Sequence, residues 1–179
     1  ALMWLAFLVN MSAFPVSNGL LPYVARDIYA IDQNGLGHLV AGYAAGALVG
    51  SVGMALGGGA ARAGRLMLLC ILLWYGLNIA FALQDGKAAG FVVLVGIGFL
   101  QSLAMIAMAV VLLQATAEPF RGRVQGVRML AVYGLPVGLL ASGLVIEWIG
   151  FFGAVALLTG VGIAGTLAVA WRWRAIIWL

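Results

Sequence analysis

The segment Ala88–Leu113 reads AAGFVVLVGIGFLQSLAMIAMAVVLL and contains no charged residue in 26 positions. A helix needs about 20 mostly apolar residues to cross the hydrocarbon core of a bilayer. This segment is therefore predicted to be a transmembrane helix. Further segments of the same kind bring the predicted number of spanning helices to six, and in chain order these others are Ala1–Ala25, Leu36–Ala61, Leu66–Leu83, Met129–Ile146 and Phe151–Trp171.

The composition of the whole chain favours the same class. Hydrophobic residues make up 65 % of the sequence and charged residues only 8 %, whereas soluble domains carry about 25 % charged residues. The chain also holds 26 glycines, a frequency that membrane helices tolerate because glycine lets helices pack closely. Since no linker separates the apolar segments, residues 1–179 are predicted to form a single all-α domain, a polytopic membrane helix bundle.

The basic residues predict an orientation for this bundle. Seven arginines lie in the second and fourth breaks between the predicted helices and in the tail, namely Arg62, Arg65, Arg121, Arg123, Arg128, Arg172 and Arg174. The first, third and fifth breaks together carry only Arg26 and Lys87. Because cytoplasmic loops are enriched in Lys and Arg, both termini are predicted to be cytoplasmic. No basic cluster with interleaved aromatic residues is present, so nucleic acid is not an expected partner.

Glycines recur at helical spacing on two predicted helices. The second helix carries Gly42, Gly46, Gly50, Gly53 and Gly57 on one stripe, and the fifth carries Gly134, Pro136 and Gly138. A stripe of small residues lets another helix approach closely, and proline removes a backbone hydrogen bond and predicts a kink. Plain helix packing explains each glycine alone. Stripes and kinks together suggest a bundle that moves.

Polar residues within the apolar segments are candidates for lining a cavity. Asn10 and Ser17 lie on one side of the first helix, which Pro15 and Pro22 interrupt. Gln101 and Met105 share a face of the fourth helix. Polar groups in hydrocarbon usually face the bundle interior or a cavity, and flexible methionines suit a pocket for lipophilic ligands. The alternatives are hydrogen bonding between helices and gap filling by methionine.

The sequence lacks the residues that most enzyme sites need. His38 is the only histidine and Cys70 the only cysteine, so neither a metal cluster nor a disulfide framework is predicted. No Gly-x-Ser-x-Gly or Gly-x-x-x-x-Gly-Lys motif occurs. We therefore expect no enzyme activity and no cofactor.

Two breaks resemble motifs of the major facilitator superfamily. The segment from Gly57 to Arg65 is similar to the loop signature of that family, whose form is Gly, three residues, Asp, Arg, any residue, Gly, Arg. Ala61 stands at the acidic position of the signature. The segment Glu118–Gly126, EPFRGRVQG, resembles the stretch that leads into the eleventh helix of many bacterial members. The matching positions of the first motif are Gly57, Arg62, Gly64 and Arg65.

The resemblance covers essentially the whole chain and is to the carboxy-terminal six-helix half of a twelve-helix carrier, nearest to bacterial exporters of drugs or siderophores. It implies efflux of small lipophilic molecules across the bacterial inner membrane by alternating access. The partner would be an amino-terminal half, which would supply the acid for proton coupling, or a second copy of the chain. The implied cavity residues are Asn10, Ser17, Gln101 and Met105, and the implied cytoplasmic gate comprises Gly57, Arg62, Gly64, Arg65, Arg121 and Arg123.

Two other classes remain open. A non-transporting membrane scaffold or assembly subunit, possibly homodimeric, would use the same glycine stripes and need no polar cavity. An intramembrane enzyme would have to use His38, the only histidine. Replacing Asn10 and Gln101 with leucine distinguishes a transporter from a scaffold, because a scaffold should tolerate both changes and a transporter should alter its substrate profile.

Overall fold

The computed structural model describes residues 1–57 and 62–173. These residues form helices joined by short turns and contain no strand, which confirms the predicted all-α class. Ala61, the departure from the family signature, and Arg174 in the basic tail lie outside the described residues. The α-helices are α1 Leu2–Ser12, α2 Leu21–Tyr23, α3 Gln33–Leu56, α4 Ala63–Ala82, α5 Lys87–Gln114, α6 Arg121–Leu130 and α7 Gly134–Arg172.

Five helical stretches of the described residues are long and apolar enough to cross a membrane. The predicted count of six is not confirmed, because the fifth and sixth predicted helices belong to one stretch that also includes α6. The predicted break from Glu147 to Gly150 is helical except at its last residue. The five stretches are Leu2–Ile28, Gln33–Leu56, Ala63–Ala82, Lys87–Gln114 and Glu118–Arg172.

Gly150 interrupts α7 with a backbone conformation that no helix contains. Its φ is 75° and its ψ is 174°, a combination that is essentially restricted to glycine. A side chain at this position would force the backbone into a strained conformation, so the sequence needs glycine there.

We expect Gly150→Ala to lower the free energy of unfolding by about 1–3 kcal/mol, the usual cost of such strain. Gly160→Ala is the matched control, because a Cβ at Gly160 in the same helix would contact nothing within 4 Å. Thermal unfolding of the two variants in detergent measures the difference. Equal unfolding temperatures would contradict the assigned role of Gly150.

The first stretch is broken, as its prolines predict. A wide π-helical turn runs from Pro15 to Gly19, and a second runs from Val24 to Ile28. Proline has no backbone N–H to donate, so the regular α-helical pattern ends at Ser12. In the fifth predicted helix the interruption lies at the tighter 3-10 turn Ala131–Tyr133, one turn before Pro136. The N–H that Pro136 lacks would otherwise donate to this turn.

The glycine stripe of α3 packs against α5. Gly42 lies against the ring of Phe91, Gly46 against the backbone of Val95, and Gly50 against the backbone of Phe99. Along this contact the residue numbers of α3 and α5 increase together, so the two helices run in the same direction. The predicted close approach of another helix to this stripe is therefore present, and the partner is α5.

The two parts of α7 run in opposite directions along the first stretch. Gly134 lies against Phe7 and Gly138 against Met11 and Pro15, so residues 134–149 run parallel to α1. Beyond Gly150 the order reverses. The ring of Phe151 lies 5.8 Å from that of Tyr23, and Gly165 packs against Leu8 near the start of the chain.

The core lies where α1, α4, α5 and α7 meet. Trp74 and Tyr75 of α4 are fully buried there, and the ring of Phe14 packs edge-on against Trp74 with 5.0 Å between centroids. The hydroxyl groups of Ser12 and Tyr75 are 2.7 Å apart, which joins α1 to α4. Many large apolar side chains are exposed on the outside, as a lipid-facing surface requires, among them Leu48, Leu56, Leu140, Leu144 and Trp148.

Candidate functional site

A cavity of about 260 Å³ lies between α1, α5 and the segment around the end of α6. Helix α1 contributes one stripe to it at helical spacing, and α5 contributes two methionines. Two of the four residues that the sequence suggested for a cavity, Asn10 and Met105, meet in this wall. The lining residues are Ala6, Asn10, Phe14, Met105, Met108, Arg128, Met129, Ala131 and Val132.

Asn10 is held in position by its own helix. Its amide nitrogen donates a hydrogen bond of 2.9 Å to the carbonyl oxygen of Ala6. The amide oxygen has no hydrogen-bond donor in the part of the chain that the structure describes. Asn10 therefore brings to the cavity wall a side chain that its own helix orients and whose acceptor is not used by a described donor.

The apolar part of the wall is built from thioethers and one ring. Met108 is buried and Met105 is half-buried on α5, and Phe14 faces them from the first stretch. Because Phe14 also packs against Trp74, its position is fixed by the core. The methionine side chains are unbranched and adapt to the shape of a ligand.

Arg128 brings a positive charge to this wall. Its Nη2 donates a hydrogen bond of 3.4 Å to the carbonyl oxygen of Met105, and its side chain is half-buried. Sequence reasoning placed Arg128 among the basic residues of a cytoplasmic loop and did not assign it to the cavity. The missed signal is the apolar sequence around it, since Val127, Met129 and Leu130 continue directly into the next span.

Ser17 and Gln101 do not line this cavity. Ser17 is fully buried and its Oγ donates a hydrogen bond of 3.1 Å to the carbonyl oxygen of Ala13. The same oxygen accepts a hydrogen bond of 3.3 Å from the amide nitrogen of Asn78 in α4. Gln101 is half-buried on α5. Ser17 thus contributes to the packing of the broken helix.

The residues of the predicted gate lie at helix ends. Gly57 caps the C-terminus of α3, and the exposed Arg62 precedes α4, whose residue Gly64 is buried. Arg65 is half-buried. At the start of α6, Arg121 forms a salt bridge of 3.6 Å with Glu118, and Arg123 is exposed.

A second, larger cavity of about 590 Å³ lies at the opposite end of the bundle, between the first turns of α3 and α5. Asp32 caps α3 there by accepting a hydrogen bond of 2.9 Å from the backbone nitrogen of Gly35. His38 and Lys87 also line this cavity. Nearby, burial raises the pKa of the Tyr29 hydroxyl, and the Asp85 carboxylate raises it further, so Tyr29 stays neutral at physiological pH.

Compared with protein-family models, curated proteins and solved structures, the chain matches none.

Proposed function

We propose that this chain is one half of a secondary membrane carrier that moves small lipophilic molecules by alternating access. The other half is an amino-terminal six-helix unit or a second copy of the chain. The resemblance of the two loop motifs to the major facilitator superfamily supports this proposal, and the arrangement of the helices supports it independently.

The observation that carries the proposal is an internal repeat in the helix contacts. In the numbering of the six predicted helices, α3 is the second span, α5 the fourth, and the two parts of α7 the fifth and sixth. Glycines of the second span pack against the fourth span in parallel, through Gly46 and Val95. Glycines of α7 before the Gly150 break pack against the first span, also in parallel, through Gly138 and Met11. If the first, second and third spans are exchanged with the fourth, fifth and sixth, the contact between the second and fourth spans becomes the contact between the fifth and first spans. Inverted repeats of this kind are typical of secondary transporters, whose sites lie at the repeat interface.

The repeat requires six spans, and the length of α7 supports that number. At about 1.5 Å per residue, a straight helix of its 39 residues would extend to about 58 Å, whereas the hydrocarbon core is only about 30 Å thick. The reversal of direction at Gly150 supports two passes instead of one. With six passes, both ends of the described chain fall on the same side of the membrane.

The charges of the described residues fit this topology. Gly90 at the start of α5 packs against Tyr29, and Gly165 near the end of α7 packs against Leu8. Since α3 runs parallel to α5, the C-termini of α3, α5 and α7 lie at the end where α1 begins. Six arginines lie at this end, whereas the opposite end holds only two basic residues, Arg26 and Lys87. The positive-inside rule assigns the arginine-rich end to the cytoplasm, and these arginines are Arg62, Arg65, Arg121, Arg123, Arg128 and Arg172.

The cavity between α1 and α5 supports a site shared with another half. The first and fourth spans, which the repeat exchanges with each other, face one another across it, and the segment around the end of α6 completes the lining. A volume of about 260 Å³ is below the ~300–1,000 Å³ of most small-molecule sites. A second six-helix unit facing this wall would complete a site of ordinary size.

We expect Asn10→Leu to change the substrate profile of the natural polypeptide in proteoliposomes, whereas Gln101→Leu should change it less, because Gln101 does not line the cavity. Asn10 is the polar group with a free acceptor in the cavity, so its loss should lower flux of hydrogen-bonding substrates about 10-fold, as expected for one lost hydrogen bond. Gln114→Leu, at the exposed end of α5, is the matched control. Unchanged flux in Asn10→Leu would favour the scaffold.

A further inference from the structure

Arg128 differs from the two other arginines of α6. Arg121 and Arg123 on the same helix are exposed, and Arg121 is paired with Glu118 at 3.6 Å. Arg128 is half-buried and lines the cavity together with Asn10 and Phe14. A charged group in such surroundings is costly unless another charge or several hydrogen bonds compensate it.

No carboxylate of the described residues forms a salt bridge with Arg128. The sequence has five acidic residues, Asp27, Asp32, Asp85, Glu118 and Glu147. Glu118 already pairs with Arg121. The other four lie toward the opposite end of the bundle, near the breaks between the predicted helices, with Glu147 inside α7 just before Gly150. The described contact of Arg128 is one long hydrogen bond of 3.4 Å to the Met105 carbonyl oxygen. Most of its N–H donors therefore remain available to a ligand.

We propose that Arg128 makes this cavity selective for lipophilic organic anions, with the guanidinium binding a carboxylate or a similar acidic group. The planar guanidinium binds a carboxylate through two parallel hydrogen bonds. Phe14, Met105 and Met108 contact the apolar body of the ligand, and the Asn10 oxygen accepts a hydrogen bond from it. This inference rests on the proposed carrier function and adds the charge of its substrate.

A matched set of probes tests the charge preference. Radiolabelled 4-(1-pyrenyl)butanoate, its methyl ester and 4-(1-pyrenyl)butylamine share one apolar body and differ in charge. Binding to the purified natural polypeptide is measured in phosphatidylcholine nanodiscs, and flux is measured in phosphatidylcholine proteoliposomes. We expect the wild type to bind the carboxylate about 10–100-fold more tightly than the amine, as a charge-assisted hydrogen bond predicts.

Variants of Arg128 show whether this residue causes the preference. Arg128→Gln should abolish the preference for the carboxylate and leave binding of the ester within about twofold. Arg128→Lys should keep the sign of the preference with a weaker carboxylate affinity, because lysine retains the charge and loses the planar fork. Arg172→Gln removes an arginine from the same end, where Arg172 lies 5.5 Å from the Trp173 ring, and should behave as wild type.

Each of the other outcomes contradicts either the anion site or the carrier function. Equal affinity of the folded wild type for the carboxylate and the amine overturns the anion site. An acidic residue of the other half that pairs with Arg128 would cause this result. Persistence of the preference in Arg128→Gln also overturns the anion site. Displacement of the carboxylate by added phosphatidylglycerol would assign Arg128 to lipid headgroups instead. Arg128-dependent binding without flux of any probe would leave the anion site in place and overturn the carrier function.

Discussion

Gly46→Ala and Gly138→Ala are each expected to lower the free energy of unfolding by about 1–3 kcal/mol, the usual cost of overpacking a tight contact. A Cβ at Gly46 would overlap the carbonyl oxygen of Val95, and one at Gly138 would overlap that of Met11. These are backbone atoms, so relief requires the two helices to separate. For a chain of this size each change should lower the unfolding temperature by about 2–12 °C.

Matched glycines on the same helices serve as controls. A Cβ at Gly53 in α3 or at Gly143 in α7 would contact nothing within 4 Å. Gly53→Ala and Gly143→Ala should therefore leave the unfolding temperature unchanged or raise it slightly, since alanine favours helix by up to about 1 kcal/mol. Thermal unfolding followed by size-exclusion chromatography gives the four values. Indistinguishable values for Gly46→Ala and Gly53→Ala would show that the α3–α5 contact is not as close as described.

The double variant tests whether the two contacts are separate parts of a repeat. Gly46 and Gly138 lie in different helix pairs and share no neighbour, so their effects should add. The sum of about 2–6 kcal/mol is a large fraction of the ~5–15 kcal/mol that stabilises most folded proteins. We therefore expect the double variant to lose most of its folded fraction at temperatures where each single variant remains folded.

Much of the helix arrangement could be predicted from residue types alone. Apolar length predicts the membrane-spanning segments, and the spacing of Gly42, Gly46 and Gly50 predicts a close helix contact. Proline at positions 15 and 22 predicts a broken first helix. These features are local, because they depend on hydrogen-bond donors, side-chain size and helical period. Which helix fills a glycine groove is a long-range property, and the sequence does not name it.

The candidate cavity was only partly predictable for the same reason. Polar or flexible residues in apolar helices often face cavities, which predicts a cavity position for Asn10 and Met105. These two residues meet in one wall. Ser17 has the same residue-type signal, yet its hydroxyl bonds to its own helix. The charge of Arg128 predicts a loop position. A count of basic residues does not reveal that Arg128 lies on α6, a helix that leads toward the next span.

The cavity should be accessible to water-soluble reagents from both sides of the membrane. A carrier that alternates access exposes its central site first to one side of the membrane and then to the other. Asn10 lies in the wall between the first and fourth spans, so a cysteine at this position should be reached by water-soluble reagents from both sides. A scaffold that packs another subunit against this wall should protect the same position from both sides.

The most direct test is therefore the labelling of Asn10→Cys by a membrane-impermeant maleimide. The natural polypeptide is used with Cys70 and every other cysteine replaced by alanine, in vesicles of both orientations. Arg123→Cys and Asp85→Cys, both at exposed positions, are the controls and should react only from the cytoplasmic and only from the opposite face, respectively. Alternating access predicts that Asn10→Cys reacts from both faces, and reaction from one face only or from neither would contradict it.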